Sequence, residues 1–115
     1  MVALFTFGKE ASVAKSCLSN SSIENCHSLA ETLRREKKFK ESFEVFKNLC
    51  EEKSEACYGV YYTAVEINRD YAKNAITLLE KQAKKSSKIY SDLATFYQQE
   101  HRFEDAIKAR NDMED

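Results

Sequence analysis

Residues 54–71, Ser54-Glu55-Ala56-Cys57-Tyr58-Gly59-Val60-Tyr61-Tyr62-Thr63-Ala64-Val65-Glu66-Ile67-Asn68-Arg69-Asp70-Tyr71, decide how the rest of the chain is read. Their aromatic and small residues recur in altered form one period upstream and one period downstream. Leu29, Tyr61 and Leu93 are each 32 residues apart, as are Ala30, Tyr62 and Ala94. Leu33, Val65 and Tyr97 keep the same register, and so do Phe39, Tyr71 and Phe103, then Phe43, Ala75 and Ile107. A fixed period in this range marks a repeat array, because each unit buries its apolar face only by stacking on its neighbour. Within each period the apolar residues fall at spacings of three and four, the mark of amphipathic helices. The expectation is an all-α fold, an α/α-hairpin solenoid of about three helix pairs with an N-terminal capping helix.

Composition agrees with helices joined by short turns. The 115 residues contain no proline and two glycines, Gly8 and Gly59, which disfavours hairpins of strands and long loops. Hydrophobic residues make up 43% and charged residues 32%, in line with a folded, soluble chain. The net charge is −1 with both signs interspersed, so no basic block suggests a nucleic-acid partner. No apolar run reaches the length of a membrane span. Met1 to Phe7 is apolar but too short for the core of a secretion signal, and it lacks a cationic start and a cleavage site. The chain is therefore either not exported or a mature form whose leader has been removed.

Taken in order, residues 9–20 are expected to form a half-repeat helix, since Phe7, Ala11, Ala14 and Cys17 precede Phe39, Phe43, Phe46 and Leu49 by one period. Repeat 1 spans 23–54. Ser21 and Glu24 have the form of a capping box for its first helix, which carries Ile23, Cys26, Leu29, Ala30 and Leu33 inward. Glu36-Lys37-Lys38 turns the chain into a second helix with Phe39, Phe43, Phe46, Leu49 and Cys50 inward. Repeat 2 spans 55–86, with Cys57, Tyr58, Tyr61, Ala64 and Val65 inward. It turns at Asn68-Arg69-Asp70 and returns through Tyr71, Ala72, Ala75, Ile76, Leu78 and Leu79. Repeat 3 spans 87–115, with Ile89, Tyr90, Leu93, Ala94 and Tyr97, then Phe103, Ala106, Ile107 and Ala109. From Arg110 onward the apolar face fades, as expected of a polar terminal cap or a frayed end.

Cys17 and Cys26 flank one expected turn, and Cys50 and Cys57 flank its equivalent a repeat later. An even count in equivalent places points to two disulfides and an oxidising compartment, with three connectivities open. Four buried free thiols are the alternative.

The pattern resembles the tetratricopeptide and Sel1-like helical repeats. These place a large apolar residue and then a small one midway along the first helix, here Leu29-Ala30, Tyr61-Tyr62 and Leu93-Ala94. An aromatic residue opens the second helix, here Phe39, Tyr71 and Phe103, with a small residue three later, here Ser42, Asn74 and Ala106. Tyr62 departs from the small-residue rule, and no proline ends a repeat. The repeat length is that of the tetratricopeptide group, whereas the cysteines resemble the secreted, cysteine-rich Sel1-like proteins, which carry one cysteine pair per repeat junction. That resemblance implies the pairs Cys17–Cys26 and Cys50–Cys57. Cys26–Cys50 is the rival, because antiparallel packing brings the start of a first helix near the end of a second. The resemblance also implies a non-enzymatic protein or peptide binder, periplasmic or secreted; a cytosolic adaptor with free thiols is the alternative.

In such arrays the first helices line the binding groove. The expected lining is Glu24, His27, Glu31 and Arg34 in repeat 1; Ala56, Gly59, Thr63 and Glu66 in repeat 2; and Lys88, Ser91, Thr95 and Gln98 in repeat 3. Tyr62, oversized for its place, is expected as a partly exposed anchor. Gly59 either gives a ligand backbone room or relieves crowding between helices. No catalytic residues, metal or cofactor are expected. The cysteines with His27 lack the tight spacing of a structural zinc site. Ser12-Val13-Ala14-Lys15 matches the S-x-x-K nucleophile pattern of penicillin-binding enzymes, but its partner motifs are missing, so a β-lactam or peptidoglycan hydrolase ranks third.

Overall fold

The computed structural model describes Cys17 and residues 22–114. Among these residues there are six α-helices and no strand: α1 (Ile23–Arg35), α2 (Phe39–Glu52), α3 (Tyr58–Ile67), α4 (Arg69–Ala83), α5 (Ile89–Gln99) and α6 (Phe103–Glu114). A single 3₁₀ turn, Ser54–Ala56, precedes α3. Each helix packs chiefly on the helices before and after it in the chain. The molecule measures 46 × 29 × 21 Å. The expected helix over 9–20 and the Ser12–Lys15 pattern lie outside the described residues, apart from Cys17.

Both local cysteine pairs are bonded, Cys17 to Cys26 and Cys50 to Cys57, with Cα separations of 5.6 and 4.4 Å. All the cysteines are therefore paired, which removes the free-thiol alternative and the Cys26–Cys50 rival, and leaves no thiolate for zinc. The second bridge also explains a shifted helix start. Instead of running from Glu55, the chain makes its 3₁₀ turn at Ser54–Ala56, brings Cys57 against Cys50, and only then enters α3.

Short polar signals set the helix ends. The cap of α1 is Ser22, one residue later than expected; its hydroxyl accepts the Asn25 N–H at 3.2 Å. At the end of α1, Glu36 N–H bonds to Thr32 C=O, Lys37 to Arg34 and Lys38 to Leu33. At the end of α5, Glu100 bonds to Phe96, His101 to Gln98 and Arg102 to Tyr97, the same three bonds displaced by 64 residues, or 2 × 32. This is the Schellman closure, which needs a left-handed residue just past the helix. Lys37 (φ 63°) and His101 (φ 61°) fill that place although neither is glycine. The middle turn differs. Asn68 is extended, and its side-chain oxygen accepts the Tyr71 N–H at 2.9 Å, so α4 starts at Arg69 rather than Tyr71.

The core runs along the contacts between successive helices. Phe43, Val45, Phe46, Leu49, Val60, Tyr61, Ala64, Ile76, Leu79, Ile89, Leu93 and Phe96 are all buried. The Tyr61 and Phe96 rings stack with centroids 4.2 Å apart, tying α3 to α5. Four residues expected inward are instead exposed: Ile23, Val65, Phe103 and Ile107. Ile23 opens α1 at its first turn, and Val65 stands in the last turn of α3. Phe103 and Ile107 lie on the side of α6 away from its buried Ala106 and Ala109. Two buried polar residues are satisfied. Ser42 donates to the Ala30 carbonyl at 2.7 Å, crossing from α2 to α1, and Thr63 donates to the Gly59 carbonyl at 2.7 Å.

Candidate partner-binding face

The first helix of each pair supplies the candidate groove, and the structure divides the expected lining into three groups. Glu24, His27 and Glu31 on α1 line one open depression together with Ser28, Thr32 and Arg35 of the same helix and Tyr58 of α3. Here a polar chain crosses between the helices. The Tyr58 hydroxyl donates to Glu31 Oε1 at 2.7 Å, and His27 Nε2 lies 2.9 Å from the same hydroxyl oxygen. Arg34 donates to Glu31 Oε2 at 3.0 Å, completing the carboxylate's partners. The His27 ring rests edge-on against Phe46, at 5.9 Å between centroids.

These contacts shift the acid–base chemistry of two groups. Burial, and next the hydrogen bond to the Glu31 carboxylate, pushes the Tyr58 hydroxyl up to about 12. Burial works against charge on Glu31, but the bonds from Tyr58 and Arg34 together outweigh it and hold the carboxyl below its ordinary value. The result is a fixed carboxylate whose two oxygens are already occupied, framed by the exposed Glu24, Ser28 and Arg35.

Repeat 2 departs from expectation. Gly59, Thr63 and Ala56 are buried and cannot line a groove. A Cβ on Gly59 would overlap the Phe46 ring, so the residue's missing side chain is what lets α2 and α3 approach. Of the two roles weighed for Gly59, relief of crowding is the one realised. Tyr62 is half-buried among Tyr58, Tyr61 and Phe96, with centroids at 6.4, 5.9 and 5.3 Å. Glu66 alone among the expected repeat 2 lining is exposed.

In repeat 3 all four expected residues are exposed. Lys88 pairs with Glu55 across the junction at 3.4 Å, where both side chains are mostly in water, so the pair contributes little. Thr95 bonds back to the Ser91 carbonyl, and Gln98 accepts from Arg110 at 2.8 Å.

Tyr58 was read inward with its hydroxyl at the rim, and it is half-buried with that hydroxyl at the depression, the ordinary way tyrosine serves both. The sequence reading passed over Asp92 on α5, a half-buried carboxyl whose titration is raised by burial. The same tyrosine–carboxylate device recurs twice. The Tyr61 hydroxyl donates to Glu100 at 2.7 Å, and Tyr97 donates to Glu80 at 2.5 Å. Burial, then the carboxylate bond, raises both hydroxyls above the ordinary tyrosine value. Arg102 lies over the Tyr97 ring at 4.6 Å and is 3.7 Å from Glu80, closing that group.

No group of three or more histidine, cysteine or acidic side chains among the described residues is placed to hold a metal. Among them no helix is long and apolar enough to cross a membrane. No protein-family model, curated protein or solved structure matches the chain.

Proposed function

We propose that this chain is a non-enzymatic helical-repeat scaffold, an α/α-hairpin solenoid of tetratricopeptide or Sel1-like type, that binds a protein or peptide partner. The observation that carries the reading is the depression on α1 and α3. Its centre, the His27–Tyr58–Glu31–Arg34 chain, is held rigid by hydrogen bonds, while Glu24, Ser28 and Arg35 stand exposed around it. A preorganised polar centre with exposed groups of both charges at its edge suits an extended or helical peptide, which loses little affinity to reordering of the site. The two disulfides suit an oxidising environment, so a periplasmic or secreted setting is part of the proposal.

The test is selection of peptides from a random display library on the oxidised protein, followed by titration of the selected peptides against variants. Glu24→Lys and Arg35→Glu change exposed groups at the two ends of α1; the reversed charges oppose the helix dipole and should cost only about 1 kcal/mol, and circular dichroism checks that the double variant folds. Together they should weaken binding by about tenfold or more. Selected peptides that bind the double variant as tightly as the parent would place the binding surface elsewhere and sink the proposal.

A further inference from the structure

Three half-buried carboxylates at the helix contacts are satisfied in one way. Glu31, Glu80 and Glu100 each accept a tyrosine hydroxyl from another helix, from Tyr58, Tyr97 and Tyr61 respectively. Asp92, half-buried on α5, has no such donor: among the described residues it accepts no hydrogen bond and joins no ion pair. An acid in the first turn of a helix gains from the helix dipole. Burial outweighs that gain and raises the titration of Asp92, alone among the described carboxyls. A carboxylate stripped of water without a partner is costly, so its place needs a reason. Its oxygens still meet solvent, because no polar side-chain atom among the described residues is both fully buried and unpartnered.

The order of contacts along α3 and α5 shows what Asp92 faces. Lys88, just before α5, pairs with Glu55, ahead of α3, and further along both helices Phe96 meets Tyr62 at 5.3 Å. Asp92 is one turn before Phe96 and Tyr58 is one turn before Tyr62, so the two stand opposite across the seam. The Asp92 charge is accordingly among those that hold the Tyr58 proton in place. Tyr58 thus lies between two carboxylates with one proton to give. It gives that proton to Glu31, and His27 Nε2 turns to the same hydroxyl oxygen. Lys88, the cation one turn before Asp92, is drawn to Glu55. These donors are spent within the fold, and Asp92 is left open to one from outside.

We propose that Asp92 takes a cation from the bound peptide, an arginine or lysine side chain that reaches it beside Tyr62. The inference rests on the peptide-binding reading and deepens it. It carries the site from α1 across Tyr58 to α5 and gives the partner a basic residue at a fixed place. An organic cation fits better than a metal ion, which needs several ligands; among the described residues no group of three or more is placed to supply them. Half-burial strengthens the pairing relative to one in open water. Tyr62, half-buried between Tyr58 and Phe96, gives the cation and its carbon stem an aromatic neighbour.

Nuclear magnetic resonance on the oxidised full chain is the test, with ¹³C-labelled aspartate so that the Asp92 carboxyl is followed directly. The probes are Nα-acetyl-arginine amide and Nα-acetyl-citrulline amide, alike in shape, of which only the first is charged. The arginine probe should give a saturable shift at Asp92, and the citrulline probe should bind at least about tenfold more weakly. Asp92→Asn should abolish the preference for arginine and Asp92→Glu should keep it, with circular dichroism checking that each variant folds. An Asp92 carboxyl that responds to neither probe, or to both alike, overturns the inference. The second arm uses peptides selected on the parent protein. Replacing their basic residue with citrulline or norleucine should cost at least about tenfold on the parent and little on Asp92→Asn. Selected peptides indifferent to Asp92→Asn overturn the inference and leave the peptide-binding reading standing. If selection yields no binder, that reading fails, and the arginine titration still decides whether Asp92 is a cation site.

Discussion

The junction between α2 and α3 and the junction between α4 and α5 occupy equivalent places in the 32-residue period but are held by different physics. The first is closed by the Cys50–Cys57 bridge, which restricts the unfolded chain more than it adds contacts to the folded one. The second has Gln82 and Ile89 at those positions. Ile89 is 1% exposed and Ala83 is buried, so the junction is held by packing and turn hydrogen bonds, with no covalent bridge, beneath the exposed residues 84–85 and 87–88. The bridged junction is sensitive to reductant, and the unbridged one is not.

The largest expected break comes on the packed side. Ile89→Ala should destabilise the protein by about 3 kcal/mol, as buried aliphatic truncations do. Hydrogen exchange should show the loss first in α5 and α6, with α2 and α3 still protected. Replacing Cys50 and Cys57 with serine should cost about 2.5 kcal/mol by the loop-entropy estimate, read as a shift of the urea midpoint. Under reducing conditions the parent protein should match this variant at that junction, and the contrast between the two junctions should vanish. Should the parent keep its full stability after complete reduction, the bridge does not hold the junction.

Gly59→Ala probes the bridged side without touching sulfur. The added methyl meets the Phe46 ring, which is fully buried and has nowhere to turn. An overpacking cost of about 1–3 kcal/mol should follow, and calorimetry would measure it. An unchanged transition temperature would mean that α2 and α3 separate easily, contrary to the close seam described.

The smallest effect is set by pH. A tyrosine whose folded value is raised binds its proton more tightly folded than unfolded. Its contribution is complete below its ordinary value near 10 and is lost as pH rises toward the folded value, about 12 for Tyr58. Tyr61 and Tyr97 are raised in the same direction, and both anchor α5 or the turn after it. Alkaline destabilisation above pH 10 should therefore weigh on the unbridged half. Tyr97→Phe should flatten the slope of stability against pH measured by urea titration. Glu31 has the opposite sign: its lowered value contributes stability above the ordinary carboxylate range, lost as pH falls through the folded value.

Helix periodicity and turn residues were legible because they act over a few positions. The helical character of 23–35, 39–52 and 103–114 follows from spacings of three and four, and equivalent placement pointed to two disulfides, while the pairing itself came only with the family resemblance. The repeat 2 lining was not legible by register alone. Transferring the face of Glu24, His27 and Glu31 by 32 residues lands on Ala56, Gly59 and Thr63, which are small and buried. The signal was present in their size, since small residues on one row of a helix that is apolar all round mark a close helix contact. Lys37 and His101 were equally hidden, because a left-handed lysine or histidine carries none of the glycine signature of a helix stop.

By itself, the sequence determined that this protein is made of short amphipathic helices with a common period, and that its cysteines stand in equivalent places at successive turns. Local spacing governs both. Only the tertiary structure decided that Gly59 receives Phe46 rather than a ligand, that Tyr58 joins His27 and Glu31 at a surface depression, and that Phe103 and Ile107 stand uncovered on α6. The first two depend on residues about 13 to 31 positions apart, and the third on which side of α6 is packed. Side-chain burial belongs to the whole packing, and a pattern read one helix at a time does not contain it.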